Sequence, residues 1–339
     1  MSGPDLLVAG GGPIGLATAL YAHRAGLAVE VLEPRTGPID KACGEGLMPG
    51  AVADLAELGV DPAGRSFRGV AYLDGHRRVT ARFRGAPGRG VRRTTLHAAL
   101  AAAVADVGIP VHPVSASGVR ELREGVAVGD LTAKYLIAAD GLHSGVTREL
   151  GLVRRAPGSR RWGLRTHVPV APWTDLVEVH WAAGSEAYVT PVAPDLVGIA
   201  VLTDRPGRLT DHLRDFPLLR EHLGDLVAEA GPVRGAGPLR RRTVRRVHGR
   251  VLLVGDAAGY VDALTGEGLA VGLRTARAAV AAIARDRPQQ YENDWRRVTL
   301  ASRALTAGLL AVSRSPARRA IVPAASWLPD VFTGVVRAL

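Results

Sequence analysis

Cysteine occurs once in the 339 residues, at Cys43, so no intrachain disulfide can form and the fold must rest on its own core. Aromatic residues make up 4% of the chain, and none interleaves with its basic clusters as a nucleic-acid stacking platform requires. Lysine is nearly absent: of 43 basic side chains only Lys41 and Lys134 are lysines. No stretch offers about 18 unbroken apolar residues, which argues against a transmembrane helix. The apolar run from Asp5 to Leu20 is broken by glycines, where a cleavable leader would be continuous. These absences predict a soluble, cytoplasmic protein with no nucleic-acid partner, no stable membrane span and no metal. Oligomeric state leaves no trace in the sequence.

What is present is an excess of arginine, giving a net charge of +11. The densest run, Arg240 to Arg246, reads either as a solvated face or as a docking site for an anionic ligand that visits transiently. Near the N-terminus, Asp5 to Ala9 reads as a short buried strand, followed by a glycine turn, a helix to about Ala25 and a second strand ending at Glu33. Gly10, Gly12 and Gly15 fit G-x-G-x-x-G, with Pro13 and Ile14 opening the helix. The first glycine allows the tight turn, the second lets backbone approach a pyrophosphate, and the third lets helix pack on strand. Glu33, followed by Pro34 and Arg35, would accept hydrogen bonds from a ribose diol and repel a 2′-phosphate, which points to FAD or NAD.

Two later motifs repeat this physics. Lys134 to Ala139 reads as a strand leading into Asp140-Gly141, His143, Ser144 and Arg148, where His143 and Ser144 would hold the loop by hydrogen bonds. Val251 to Val254 reads as another strand, ending in Gly255-Asp256, and a glycine loop then opens a long helix through Gly266, Glu267, Gly268 and Leu269. A carboxylate at the carboxyl end of such a strand can bond ribitol hydroxyls, and a helix N-terminus favours negative charge. Together the three motifs resemble the flavoprotein superfamily of para-hydroxybenzoate-hydroxylase-like monooxygenases, flavin-dependent halogenases and geranylgeranyl reductases. The resemblance implies an α/β fold: a Rossmann-like FAD-binding domain with an inserted antiparallel β-sheet substrate domain and C-terminal helices. It also implies that Arg93 reaches the ribitol or pyrophosphate of FAD. The expected partition is 1–65, 89–160 and 246–288 for FAD, 66–88 and 161–245 for the substrate sheet, and 289–339 for a helical segment. No second G-x-G-x-x-G occurs, so either the reductant, NAD(P)H, docks transiently or electrons come from a partner protein.

The reaction type is less sharply written. The tryptophan motif and free lysine of halogenases are missing. Lys41, Cys43, Gly44 and Leu47 echo the early loop of geranylgeranyl reductases, as do Thr265 to Gly268 in the late loop, but the reductase pattern Y-x-W-x-F-P survives only as Tyr188 and Pro191. The sequence reading is an NAD(P)H-dependent monooxygenase acting on an aromatic or polyketide-like small molecule; the alternative is double-bond reduction of an isoprenoid or lipid. His180 and Tyr188 could orient an oxygen of the substrate if they face inward, and Cys43 and Glu45 sit in a loop expected to pass the flavin. Cys43 reads as a nucleophile, a pocket-lining group or a buried thiol. At the C-terminus Arg314, Arg318 and Arg319 would favour an anionic lipid surface if exposed.

Overall fold

The computed structural model describes residues 3–75, 77–155 and 160–338, apart from the side chains at 329, 331, 335, 337 and 338. Two sheets organise them. The first has six strands in the order 247–248, 251–253, 135–138, 6–9, 29–32, 111–112. All neighbours are parallel except the edge pair 247–248 and 251–253. Leu6–Ala9 is wholly buried, as expected for a parallel strand covered on both faces. Each of Leu6 and Leu7, removed from water completely, contributes about 1.5–3 kcal/mol.

The helix Pro13–Arg24 packs between Arg93–Asp106 and Gly268–Ala284. Proline at its first turn costs nothing, since that N–H has no intrahelical partner. Its contact with Gly268–Ala284 is unusually close: a Cβ on Gly272 would lie 2.4 Å from Ile14. The glycine turn is thus clamped from behind by a helix more than 250 residues away in sequence.

The second sheet has seven strands, ordered 234–236, 162–168, 196–203, 185–193, 177–182, 69–74, 77–82. It departs from the expected antiparallel sheet at one place, where 69–74 runs parallel to 177–182. Alternation sorts its residues. Ala187, Val189, Val197, Ile199 and Val201 pack under the short helices 209–213 and 217–223, while Tyr188, Thr190, Ala200 and Leu202 face the opposite way. The helix Tyr291–Ser313 and the shorter helices after it close that opposite face, where Ala325, Phe332 and Val336 join Val70, Val177 and Val179. Of the boundaries expected from sequence, the one at 160 abuts 156–159, which lie outside the described residues.

Candidate functional site

Between the two sheets lies a cavity of about 440 Å³, at the carboxyl ends of strands 6–9, 135–138 and 251–253. Gly10, Gly12, Pro13, Ile14, Arg35, Cys43, Gly44, Glu45, Arg93, Asp140, Gly141, Tyr188, Gly255, Asp256, Gly266, Gly268 and Leu269 all line it. The three fingerprint glycines do different things. Gly10 has φ +101° and a Cβ there would lie 2.8 Å from Asp140 Cα. A Cβ on Gly15 would lie 1.7 Å from the Gly10 carbonyl oxygen, so helix and turn could not meet. A Cβ on Gly12 would meet only Arg93 Nη2, at 3.8 Å, and would stand in the cavity itself.

Four of the predicted cofactor-binding residues do not line the cavity. Gly15 is behind the turn. Glu33 is buried and accepts hydrogen bonds from Gly11 N at 2.8 Å and from Arg35 N and Nε at 3.0 and 2.7 Å, so Arg35 rather than Glu33 forms the wall. Burial pushes the Glu33 carboxyl up, but those bonds outweigh it and hold it below the usual carboxylate value. Pro34 is exposed beside it. Glu267 is turned behind its loop, where Ser302 Oγ donates to it at 2.7 Å.

The wall carries groups without partners. Arg93 is half-buried, its Nε is buried with no hydrogen-bond partner, and desolvation lowers its pKa despite Cys43, Asp256 and Glu45 nearby. Asp140 Oδ1 is likewise buried and unpartnered, while its Oδ2 accepts from Val146 N at 3.2 Å. Burial raises the Asp256 carboxyl against the pull of Lys41, Arg93 and Arg241. Buried polar atoms seldom lack partners, so these groups are built to meet something else. A guanidinium N–H above an open glycine suits a pyrophosphate, and carboxylates at strand ends suit sugar hydroxyls. The residues fit FAD.

The 40–47 loop is held to the substrate sheet by a buried polar network. Glu45, at φ +60°, accepts from Arg93 N at 2.8 Å and pairs with His167 Nε2 at 2.6 Å. Arg165 donates to Asp40 and approaches His167 Nδ1 at 3.3 Å, so His167 carries its proton on Nε2. Glu45 is therefore engaged as an anchor. Cys43 lines the cavity, and its Sγ accepts from Glu45 N at 3.4 Å. His180 faces away from the cavity and pairs with Glu178 at 3.2 Å, because Val177 and Val179 take the inward positions of that strand. Tyr188 faces inward, but its hydroxyl donates to Leu264 O at 2.7 Å. Two arginines of the basic run are also committed: Arg241 donates to Leu142 O and Arg246 pairs with Glu292 at 3.0 Å.

Residues 113–287 match the family model described as FAD binding domain. The chain belongs to this FAD-binding family. It is 30% identical over 318 residues to menaquinone reductase of Mycobacterium tuberculosis, covering 81% of this chain and 75% of that protein. It is 29% identical over 306 residues to digeranylgeranylglycerophospholipid reductase 1 of Methanopyrus kandleri, covering 81% and 79%. Among solved structures, a flavoprotein/dehydrogenase from Cytophaga hutchinsonii matches with TM-score 0.80 at 15% identity, over 95% of this chain and 88% of that one. The p-nitrophenol 4-monooxygenase PnpA from Pseudomonas putida matches with TM-score 0.78 at 19% identity, over 95% and 92%. As a member of the FAD-binding family the protein is an FAD-dependent oxidoreductase. Among the described residues no helix is long and apolar enough to cross a membrane.

Several site residues of this flavoprotein escaped sequence reasoning. His97, one turn after Arg93, donates Nε2–H to the Gly11 carbonyl at 2.9 Å, and desolvation lowers its pKa, keeping it neutral. Its spacing from Arg93 on one helix face was the available signal. Arg165 and His167 carried none, since their acidic partners lie more than 100 residues away. Arg161 joins Glu186 and Asp262 in a buried cluster, tying the substrate sheet to the late loop, again invisible locally.

Proposed function

We propose that the protein reduces a carbon–carbon double bond in an elongated apolar substrate, isoprenoid in character, with NAD(P)H as transient reductant. One observation carries this reading. Apart from Arg165, which pairs with Asp40, every described residue that the seven-stranded sheet and the helices after 290 give to the cavity is uncharged: Val70, Tyr72, Val177, Val179, Leu202, Leu305, Leu309 and Val336 are among them. A wall of this kind binds a hydrocarbon chain by excluding water. The sequence relatives support the same side, since reductases of a quinone and of phospholipids are those with 29–30% identity. Hydroxylating a phenol asks for a group that orients or ionises the oxygen; of the two candidates, His180 faces away from the cavity and the inward Tyr188 hydroxyl is engaged by Leu264 O.

In this reading the chain's own residues do three things. Gly12, the N-terminus of Pro13–Arg24 and Arg93 hold the pyrophosphate, while Asp140 and Asp256 take sugar and ribitol hydroxyls. Gly44, Cys43 and Thr190 form the floor beside the reacting carbon; Thr190 Oγ1 donates to Gly44 O at 2.8 Å and fixes the loop to the sheet. Leu202, Leu264, Leu305 and Leu309 keep bulk water from the substrate. FAD supplies hydride transfer when bound.

The deciding experiment runs turnover of an isoprenoid quinone or prenyl lipid with NAD(P)H, under air and under argon, with mass analysis of the product. Saturation of a double bond that persists without O₂ is expected. Strict O₂ dependence with oxygen incorporated into the product would overturn reduction in favour of monooxygenation.

A further inference from the structure

Behind the Thr265–Gly268 loop lies a second cavity of about 50 Å³. Gly255, Asp256, Tyr260, Thr265 and Gly268 line both cavities, so the two meet at this loop. The far wall is the helix Tyr291–Ser313, which contributes Thr299, Ser302, Arg303 and Thr306. Such a volume seats on the order of three waters, given roughly 10–15 Å³ for each. Polar partners for them are present: Thr265 Oγ1 and Thr306 Oγ1 are 2.9 Å apart, and Ser302 Oγ donates to Glu267. Glu267 is 4% exposed and faces this cavity rather than the main one. Burial pushes its carboxyl up against the pull of Ser302, Arg274 and Thr265, which favours a group that holds a proton and gives it up. The charged and titratable groups around it are Arg274 on its own helix, with Nη2 at 3.7 Å, Arg303 on the facing helix, and Asp256, Tyr260 and Asp262 along the loop.

We propose that this cavity is the proton inlet of the site, with Glu267 passing solvent protons through a short file of water to the cofactor side of Gly268. The inference rests on FAD lying in the main cavity. Saturating a double bond takes up two electrons and two protons. The hydride of the nicotinamide reductant carries both electrons and one proton, and the second proton comes from solvent. At Glu267 the O–H bond breaks with its electron pair left on the carboxylate; the proton moves to the adjacent water, and the carboxylate is reprotonated from the Ser302–Arg303 side.

The test uses holoenzyme. Bound FAD is photoreduced under argon, pH is jumped in a stopped-flow, and the absorbance of the reduced flavin reports its protonation; FAD occupancy is read separately. Glu267→Gln, which cannot give up a proton, and Thr299→Leu, which fills the cavity, should each slow proton uptake about tenfold or more at full occupancy. Glu267→Asp should stay within about threefold of the parent, as a retained carboxyl requires. Parental uptake rates in both Gln and Leu variants at full occupancy would overturn the inlet. Where Glu267→Gln binds no FAD, Thr299→Leu decides alone, since Thr299 is on the far wall. Undiminished FAD binding by an Arg93→Ala, Gly12→Leu double variant would instead overturn the siting of FAD.

Discussion

The backbone N–H of Arg93 donates to the carboxylate of Glu45 at 2.8 Å, so an acid from the early loop caps the helix whose first side chain enters the cavity. Arg92, at the cap position itself, supplies no side-chain bond. The helix start, and with it the direction of Arg93, is therefore set by a residue 48 positions earlier.

Arg93→Ala should weaken FAD binding by about 1.5–3 kcal/mol, the worth of a charged hydrogen bond, or roughly ten- to a hundredfold in Kd. Fluorescence titration of apoprotein measures it. Unchanged affinity would remove Arg93 from the pyrophosphate site.

Gly15→Ala and Gly12→Ala should separate folding from binding. The first places a methyl 1.7 Å from a carbonyl oxygen and should cost about 3 kcal/mol of stability or prevent folding. The second should cost under about 1 kcal/mol in the apoprotein, because its methyl meets only Arg93 Nη2, yet it should impair FAD binding. Denaturant melts of apo and FAD-loaded protein report both.

Cys43→Ser should keep FAD and at least about a third of the activity, because the serine oxygen can still accept from Glu45 N. Loss of turnover with FAD retained would make Cys43 a catalytic residue.

Thr190→Trp restores the aromatic residue that the reductase-like pattern lacks. It should narrow the apolar slot and shift preference toward shorter chains by about tenfold in kcat/KM, read from competition between prenyl substrates of different length. Equal preference would place the chain elsewhere.

Acid should destabilise the protein through Glu178. Burial opposes its ionisation, but His180, Arg78 and Trp173 outweigh that and bring its pKa down to about 2. A carboxyl lowered in the folded state contributes stability above its unfolded value, lost as pH falls from about 4.5 to about 2. Glu178→Gln should flatten the stability curve in that window and lower stability at pH 7 by about 2 kcal/mol. Urea melts across pH test the slope.

The nucleotide half was readable because its signals are local. The Leu6–Ala9 strand, the glycine turn and the Pro13–Arg24 helix are written within thirty consecutive residues, and Asp140 and Asp256 each come within three residues of the end of their own strand. The substrate half was not. Whether His180 or Val179 faces the cavity is a one-residue phase, set by pairing with strands 69–74 and 185–193 rather than by the sequence around it. The role of Glu45 was hidden for the same reason, its partners being Arg93 and His167. Glu267 was expected at the cofactor because its motif is there, but the turn into the next helix sends its side chain backward.

The clamp between Gly272 and Ile14 dates the site within synthesis. The glycine turn is made more than 250 residues before the helix that presses it into place. A nascent chain carrying the full fingerprint therefore has no finished cradle, which waits for the helix Gly268–Ala284.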